Sequence, residues 1–272
     1  MTQGTSQAKD FHVAFVDCHM HLDHVFERRP ERLAWMREVG CLPVSWAFSR
    51  RSDSVQDLKD YFAARVKIFG AIRARGLPCF HLVGVHPRNI PPDLTPEAVP
   101  DLLLPFLDDP FCLGLGEIGL ETGDPREVEI LSAQLALAPE IEQRGQVLGV
   151  HTPRQDKARV LAQTLDLLAP YGRWRDRILI DHLTPDTLPA ALQAGFQTGM
   201  TMSPPKCSAA DIEAVASAHP DRLDRIQLDT DSGGHFFEDL YRFHQESKLD
   251  EAVKQRLSRD NALRFYHLEG RV

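Results

Sequence analysis

Eight short apolar runs recur along the chain, and an amphipathic helical pattern separates each from the next. The runs cover residues 12–17, 42–48, 79–85, 112–117, 146–150, 177–181, 196–202 and 225–229. Each is rich in Val, Ile, Leu or Phe and gives way to polar or Gly/Pro residues, which predicts strands. The clearest helical pattern spans 53–75, where Leu58, Phe62, Val66, Phe69 and Ile72 repeat at helical spacing and Gly76 follows as a stop. Asp124-Pro125-Arg126-Glu127 predicts a helix start, with Asp124 as cap and Glu127 reaching back to it. Thr95-Pro96, Thr184-Pro185 and Ser208 predict further starts, Pro139 a kink, and 25–39 a weak helical stretch. Strand and helix alternating eight times implies parallel strands joined by right-handed crossovers. Over 272 residues this predicts an α/β fold, a single-domain (β/α)8 TIM-like barrel spanning 11–272. A doubly wound open sheet would need fewer strands, and no GxGxxG follows the first run to support a dinucleotide fold.

Composition narrows the setting. Hydrophobic residues make up 43% of the chain, enough for a sizeable core, which excludes wholesale disorder. The five cysteines are scattered without a CxxC pair, which favours a reducing compartment over a disulfide scaffold. No window of 18 apolar residues predicts a membrane span, and the start lacks a basic-plus-apolar leader, so the expectation is a cytoplasmic protein with no membrane partner. Residues 1–10 read as a polar, frayed tail. A net charge of −8 does not favour nucleic acid as partner, because nucleic-acid binding normally shows a basic footprint. Oligomeric state leaves no sequence signal.

Function is legible in where the polar residues fall. Asp17-Cys18-His19-Met20-His21 closes the first run, His86 the third, Glu117 the fourth, His151 the fifth, Asp181-His182 the sixth and Asp229-Thr230-Asp231 the eighth. In a barrel these C-terminal strand ends meet on one rim. Strand alternation predicts that Asp17, His19 and His21 share a face, with Cys18 and Met20 turned toward the helix layer. Cys18 then reads as a small buried residue, with no base placed to make it a nucleophile. In the last run Gln227, Asp229 and Asp231 face the barrel axis, and Ile226 and Leu228 face the helices. Imidazole nitrogens and carboxylate oxygens in this concentration suit a divalent metal, since such groups are costly to bury otherwise. His19 and His21 can hold one ion, His151 and His182 a second, Glu117 can bridge, and Asp231 can complete the first site. His12, His81, His219, His235, His244 and His267 read as ordinary core or surface histidines, and His24 stands near enough to the rim to stay open.

These motifs resemble the TatD family of metal-dependent hydrolases, within the amidohydrolase superfamily. The resemblance rests on Asp17-x-His19-x-His21, Gly84-Val85-His86-Pro87, Gly116-Glu117-Ile118-Gly119-Leu120, His151, His182, Asp231 and Asn261-Ala262-Leu263-Arg264-Phe265-Tyr266, and covers about 11–268. It implies a TIM-like barrel with one to three divalent ions. His19, His21, Glu117 and Asp231 would hold one, and Glu117, His151 and His182 another. His86 would help place substrate. Characterised TatD members resemble nucleases acting on DNA ends, which implies phosphodiesterase chemistry. Ser232-Gly233-Gly234 after Asp231, Leu183-Thr184-Pro185 after His182, Glu121-Thr122-Gly123 and His151-Thr152-Pro153-Arg154 set this chain on a branch apart from the characterised deoxyribonucleases.

The function expected is therefore divalent-metal-dependent hydrolysis of a phosphoester in a small anionic substrate, by attack of metal-bound hydroxide. One or two ions are expected: zinc first, with manganese, iron, nickel or magnesium as alternatives. Asp231 and Glu117 are the catalytic candidates, Asp231 accepting or relaying the proton. The cations Arg50, Arg51, Arg88, Arg154, Lys157 and Lys206 follow strand ends, and Arg88 and Arg154 lead as phosphate contacts beside His86. An amide or lactone hydrolase, a TatD-like deoxyribonuclease, and a barrel retaining binding without turnover are the competing readings.

Overall fold

The computed structural model describes residues 11–272, so the tail expected at 1–10 lies outside the described residues. Eight parallel strands lie in chain order: β1 (Phe15–Met20), β2 (Cys41–Ser45), β3 (Phe80–Val83), β4 (Cys112–Gly119), β5 (Val147–His151), β6 (Ile178–Ile180), β7 (Gln197–Thr201) and β8 (Ile226–Asp229). Every predicted run contributes a strand, and helices alternate with them as a (β/α)8 barrel requires. The seam between β8 and β1 is drawn together just beyond the strand ends. Asp231 donates its backbone N–H to the His19 carbonyl at 3.0 Å, and His21 donates to the Ser232 carbonyl at 2.7 Å. Asp17 fastens the same seam, accepting Thr230 N–H at 3.0 Å and the Thr230 hydroxyl at 2.6 Å.

Two apolar layers follow from strand alternation. The outer layer packs the strands' outward residues, such as Val83, Val85, Leu148, Val150, Ile226 and Leu228, against the helices. The helix Val55–Ala74 buries Leu58, Phe62, Phe69 and Ile72 there, each worth about 1.5–3 kcal/mol. Arg65 is buried on that helix too. It donates to the Leu82 carbonyl at 2.8 Å and the Ser45 carbonyl at 3.0 Å, while the neighbouring Val66 is only partly covered. The inner layer fills the barrel: Val16, Leu42, Val44, Trp46, Phe80, Leu82, Leu113, Val147 and Leu179, closed below by Ala262, Phe265, Tyr266 and Leu268. Glycines make room inside. A Cβ on Gly149 would sit 2.4 Å from the Trp46 ring, and one on Gly199 2.2 Å from Asp181 Oδ1.

Several local expectations are corrected. The register between β1 and β2 slips between Asp17 and Met20. Cys18 packs with Val16 in the inner layer instead of the helix layer, and alternation fails just after it, where His19 turns inward as well and Met20 joins the outer layer. The helix expected over 53–75 runs Val55–Ala74, capped by Ser54. The weak 25–39 stretch is two helices, Leu22–Arg28 and Glu31–Glu38, broken at Pro30. At Pro139 the chain does not kink but starts a new helix, Ala138–Gln143. Asp124 caps Pro125–Leu135 as predicted, but Glu127 reaches past it to accept N–H groups from Glu121, Thr122 and Gly123, each at 2.8 Å.

Candidate metal centre

Glu117, at the end of β4, is 2% exposed and faces five imidazoles. Its Oε1 lies 2.6 Å from His151 Nδ1, 3.1 Å from His182 Nε2 and 3.5 Å from His86 Nε2. Its Oε2 lies 3.5 Å from His19 Nε2 and 3.8 Å from His21 Nε2. One carboxylate thus looks into two halves of a centre. In the first half Asp231 completes the ring, its Oδ1 3.0 Å from His21 Nε2 and 4.0 Å from His19 Nε2.

Hydrogen-bond partners fix the tautomers in that first half. His19 Nδ1 is 2.5 Å from Asp181 Oδ2, and an ionised carboxylate only accepts, so Nδ1 carries the proton. His21 Nδ1 is 3.2 Å from the Trp46 carbonyl and must donate for the same reason. Both Nε2 atoms, in the neutral rings, then present lone pairs toward Glu117 and Asp231. His19 Nε2 is buried with no hydrogen-bond partner. Four acceptors converging on one point repel unless a cation lies among them, so the donor set fits a divalent ion. A buried carboxylate holding the far nitrogen of a ligand histidine is the usual outer support of such a site. His19, His21 and Glu117, and likewise His86, Glu117 and His151, bring ligand atoms within 4.8 Å of one another.

The charges follow from crowding. Burial alone would push Glu117 up, but His86, His19 and His151 outweigh it and hold its carboxyl well below the usual range. Burial works against charge on His19 as well, yet Glu117 and Asp181 raise it well above an ordinary imidazole, so that without a metal ion a proton on Nε2 would serve as the cation among these acceptors. Burial outweighs the same support at His86: Glu117 raises it, yet the imidazole is carried down to about 4. Deeper on the axis, burial and the neighbouring Asp181 keep Asp229 protonated well above the carboxylate range.

The cavity above the centre measures about 230 Å³. It is lined by six of the expected residues (His21, Glu117, His86, His151, His182 and Asp231), and Arg88 and Arg154 stand at its edge. His19 lies beneath them, fully buried, its ring stacked on Trp46 at 4.0 Å. Asp229 is equally buried and stays out of the cavity, which favours Asp231 of that pair. The rim cations are less available than the sequence suggests. Arg50 pairs with Glu27 at 3.2 Å, Arg51 with Asp53 at 2.7 Å and Arg88 with Glu121 at 2.8 Å. Lys157 donates to the His182 carbonyl at 2.7 Å, and Lys206 to Asp231 Oδ2 at 2.6 Å. Arg154 is exposed and has no ion pair among the described residues.

Some of the site escaped sequence reasoning. Trp46 supports His19 and receives His21, but a tryptophan inside an apolar run looks like core. Glu121 holds His151 Nε2 at 3.0 Å. His235, read as an ordinary surface histidine, lines the cavity, as does the open case His24, whose burial drops it to about 4.

Known proteins give this geometry a context. No family model and no curated protein matches the chain, whereas solved structures do. A TatD-like protein from Archaeoglobus fulgidus is 27% identical with a TM-score of 0.76, the match covering 93% of this chain and 100% of that one. A TatD homologue from Escherichia coli K12 is 18% identical with a TM-score of 0.55, covering 93% and 94%. A phosphotriesterase from Mycobacterium tuberculosis, 16% identical, covers 97% and 96% with a TM-score of 0.60 and shares the fold. The latter two matches show the fold alone. The resemblance to the TatD family read from the motifs is borne out by the Archaeoglobus protein, which is similar over the whole chain. Among the described residues, no helix is long and apolar enough to cross a membrane.

Proposed function

We propose that the protein is a divalent-metal-dependent hydrolase of phosphoester bonds in a small anionic substrate. The observation carrying this reading is the convergence of His19 Nε2, His21 Nε2, Glu117 Oε2 and Asp231 Oδ1, four acceptors on one point beneath a cavity edged by Arg88 and Arg154. These four residues would hold the ion, with zinc, manganese, iron, nickel or magnesium all compatible with nitrogen and oxygen donors. When bound, a divalent ion there would lower the pKa of a water and polarise a phosphoryl oxygen.

The chain's own groups do the rest. His86 Nδ1 accepts the Arg88 backbone N–H at 3.1 Å, so its Nε2 carries a proton toward the cavity and can donate to a substrate oxygen. Asp231 Oδ1, beside His21, accepts the proton released by the attacking water. Arg154 offers the substrate anion an uncommitted guanidinium, while Arg88 must share itself with Glu121. A confined positive edge on a chain of net charge −8 suits a small anion better than a long polyanion such as DNA. An amide or lactone carbonyl is the second reading, since it would use the same centre without Arg154.

The test is Arg154→Ala assayed on a charged phosphoester and a neutral ester. KM should rise about tenfold for the charged substrate and little for the neutral one, with metal content unchanged. Equal losses on both would move the assignment to the carbonyl substrate.

A further inference from the structure

The two halves of the centre differ in where their protons sit, and Lys206 is the cause. Lys206 Nζ lies 2.6 Å from Asp231 Oδ2 and 3.0 Å from His182 Nδ1. An ammonium has three donors and no acceptor, so His182 Nδ1 must present its lone pair to it. Thr201 Oγ1, 2.7 Å from the same nitrogen, can donate to it as well. The proton of the neutral ring then sits on Nε2, where it points at Glu117 Oε1, 3.1 Å away. A protonated nitrogen cannot ligate a metal. His86 is in the same state, because the Arg88 N–H occupies its Nδ1. Around Glu117 Oε1 that leaves His151 Nδ1, once it gives up the proton it holds against that oxygen at 2.6 Å, as the one nitrogen able to coordinate, too few donors for an ion.

We infer that Lys206 is a positioning residue that withholds His182 from metal, so the centre takes one divalent ion at His19, His21, Glu117 and Asp231. His182 and His86 then stand beside it as N–H donors. This rests on the metal reading proposed above, and it departs from the second ion that the TatD resemblance implies at Glu117, His151 and His182. Lys206 also leaves Asp231 Oδ1 directed at His21 by occupying Oδ2. The loop after β7 thereby sets both the number of ions and the donors offered to a substrate.

Metal-stripped full-length protein, titrated with zinc alone and followed by equilibrium dialysis, tests this without any assay of turnover. Wild type should bind one zinc tightly, with any second at least a hundredfold weaker. His182→Ala should keep that ion. Lys206→Met should free His182 Nδ1 to carry the proton and raise the count to two, and Lys206→Arg, which restores a cationic donor, should return it to one. Nitrogen-15 spectra of the imidazoles give an independent reading, with His182 protonated at Nε2 in wild type and at Nδ1 in Lys206→Met. Two zinc ions of similar affinity in wild type, loss of the ion in His182→Ala, or an Nδ1 proton on wild-type His182 would each overturn the inference. A folded Lys206→Met still holding one zinc would overturn the role of Lys206. If Lys206→Met does not fold, the wild-type count and spectrum still decide. Failure of a phosphoester panel would leave these counts untouched and strike only the proposed substrate, whereas no zinc binding at all would strike the metal reading itself.

Discussion

The floor and the rim of the barrel interior are built on the same strand faces yet obey different rules. Along β5 the inward positions run Val147, Gly149, His151, and along β6 and just past it Leu179, Asp181. Along β2 they run Leu42 and Val44 to Trp46. Each face starts apolar and ends polar or aromatic in the direction of the chain. The floor residues are held by burial, which is non-directional, so a neighbour of similar volume can stand in. The rim residues are held by particular atoms, and none has a substitute. Trp46 belongs to both: its ring lies in the apolar cluster, it stacks on His19, and its Nε1 donates to Tyr266 at 3.0 Å.

Substitutions on the two sides should separate cleanly. Replacing His19 and His21 together with Ala should remove the ion and abolish hydrolysis while the fold persists by circular dichroism. Full metal content in the folded double variant would refute the rim's assignment. Asp231→Asn should lower kcat by about 10²-fold or more, far beyond its effect on KM. Unchanged turnover would refute Asp231 as the proton acceptor. On the floor, Leu82→Ala should cost about 2–5 kcal/mol in denaturant unfolding with metal affinity intact. Trp46→Ala should do both, costing about 3–5 kcal/mol and weakening metal binding about tenfold. If it loses stability alone, the division between floor and rim is sharper than the packing indicates.

The smallest effect concerns the thiols. Burial pushes Cys79 and Cys112 up to about 12. Neither should be alkylated in native protein at about pH 8, whereas the unfolded chain should react. The sign for stability follows: the native state keeps protons that unfolded thiols release, so their contribution is complete below the unfolded value and fades as pH rises toward 12. Rapid labelling under native conditions would show the outer layer opening locally.

All eight strands were legible because composition alternates so regularly, and the rim positions of His19, His21, His86, Glu117, His151, His182 and Asp231 followed from topology alone. What stayed hidden depends on breaks in regularity or on distant partners. The inward facing of both Cys18 and His19 required knowing the register slip in β1. Arg65 sits inside because two carbonyls from neighbouring strands receive it, which no helical periodicity reveals. The commitments of Arg88 to Glu121 and of Lys206 to Asp231 join loops 33 and 25 residues apart, so both cations looked equally free in the sequence.

The hydrogen bond from Trp46 to Tyr266, and that from Tyr266 to the Cys18 carbonyl at 2.7 Å, also set an order of assembly. A chain emerging from the ribosome presents His19 and His21 before the rest of the rim. Their companion Asp231 arrives more than two hundred residues later, and the tyrosine that steadies the indole beneath them later still. Domains generally fold as units during synthesis. Here the unit cannot be finished until Tyr266 returns to β1, so the centre matures only after that residue has emerged and no shorter stretch of chain displays it whole.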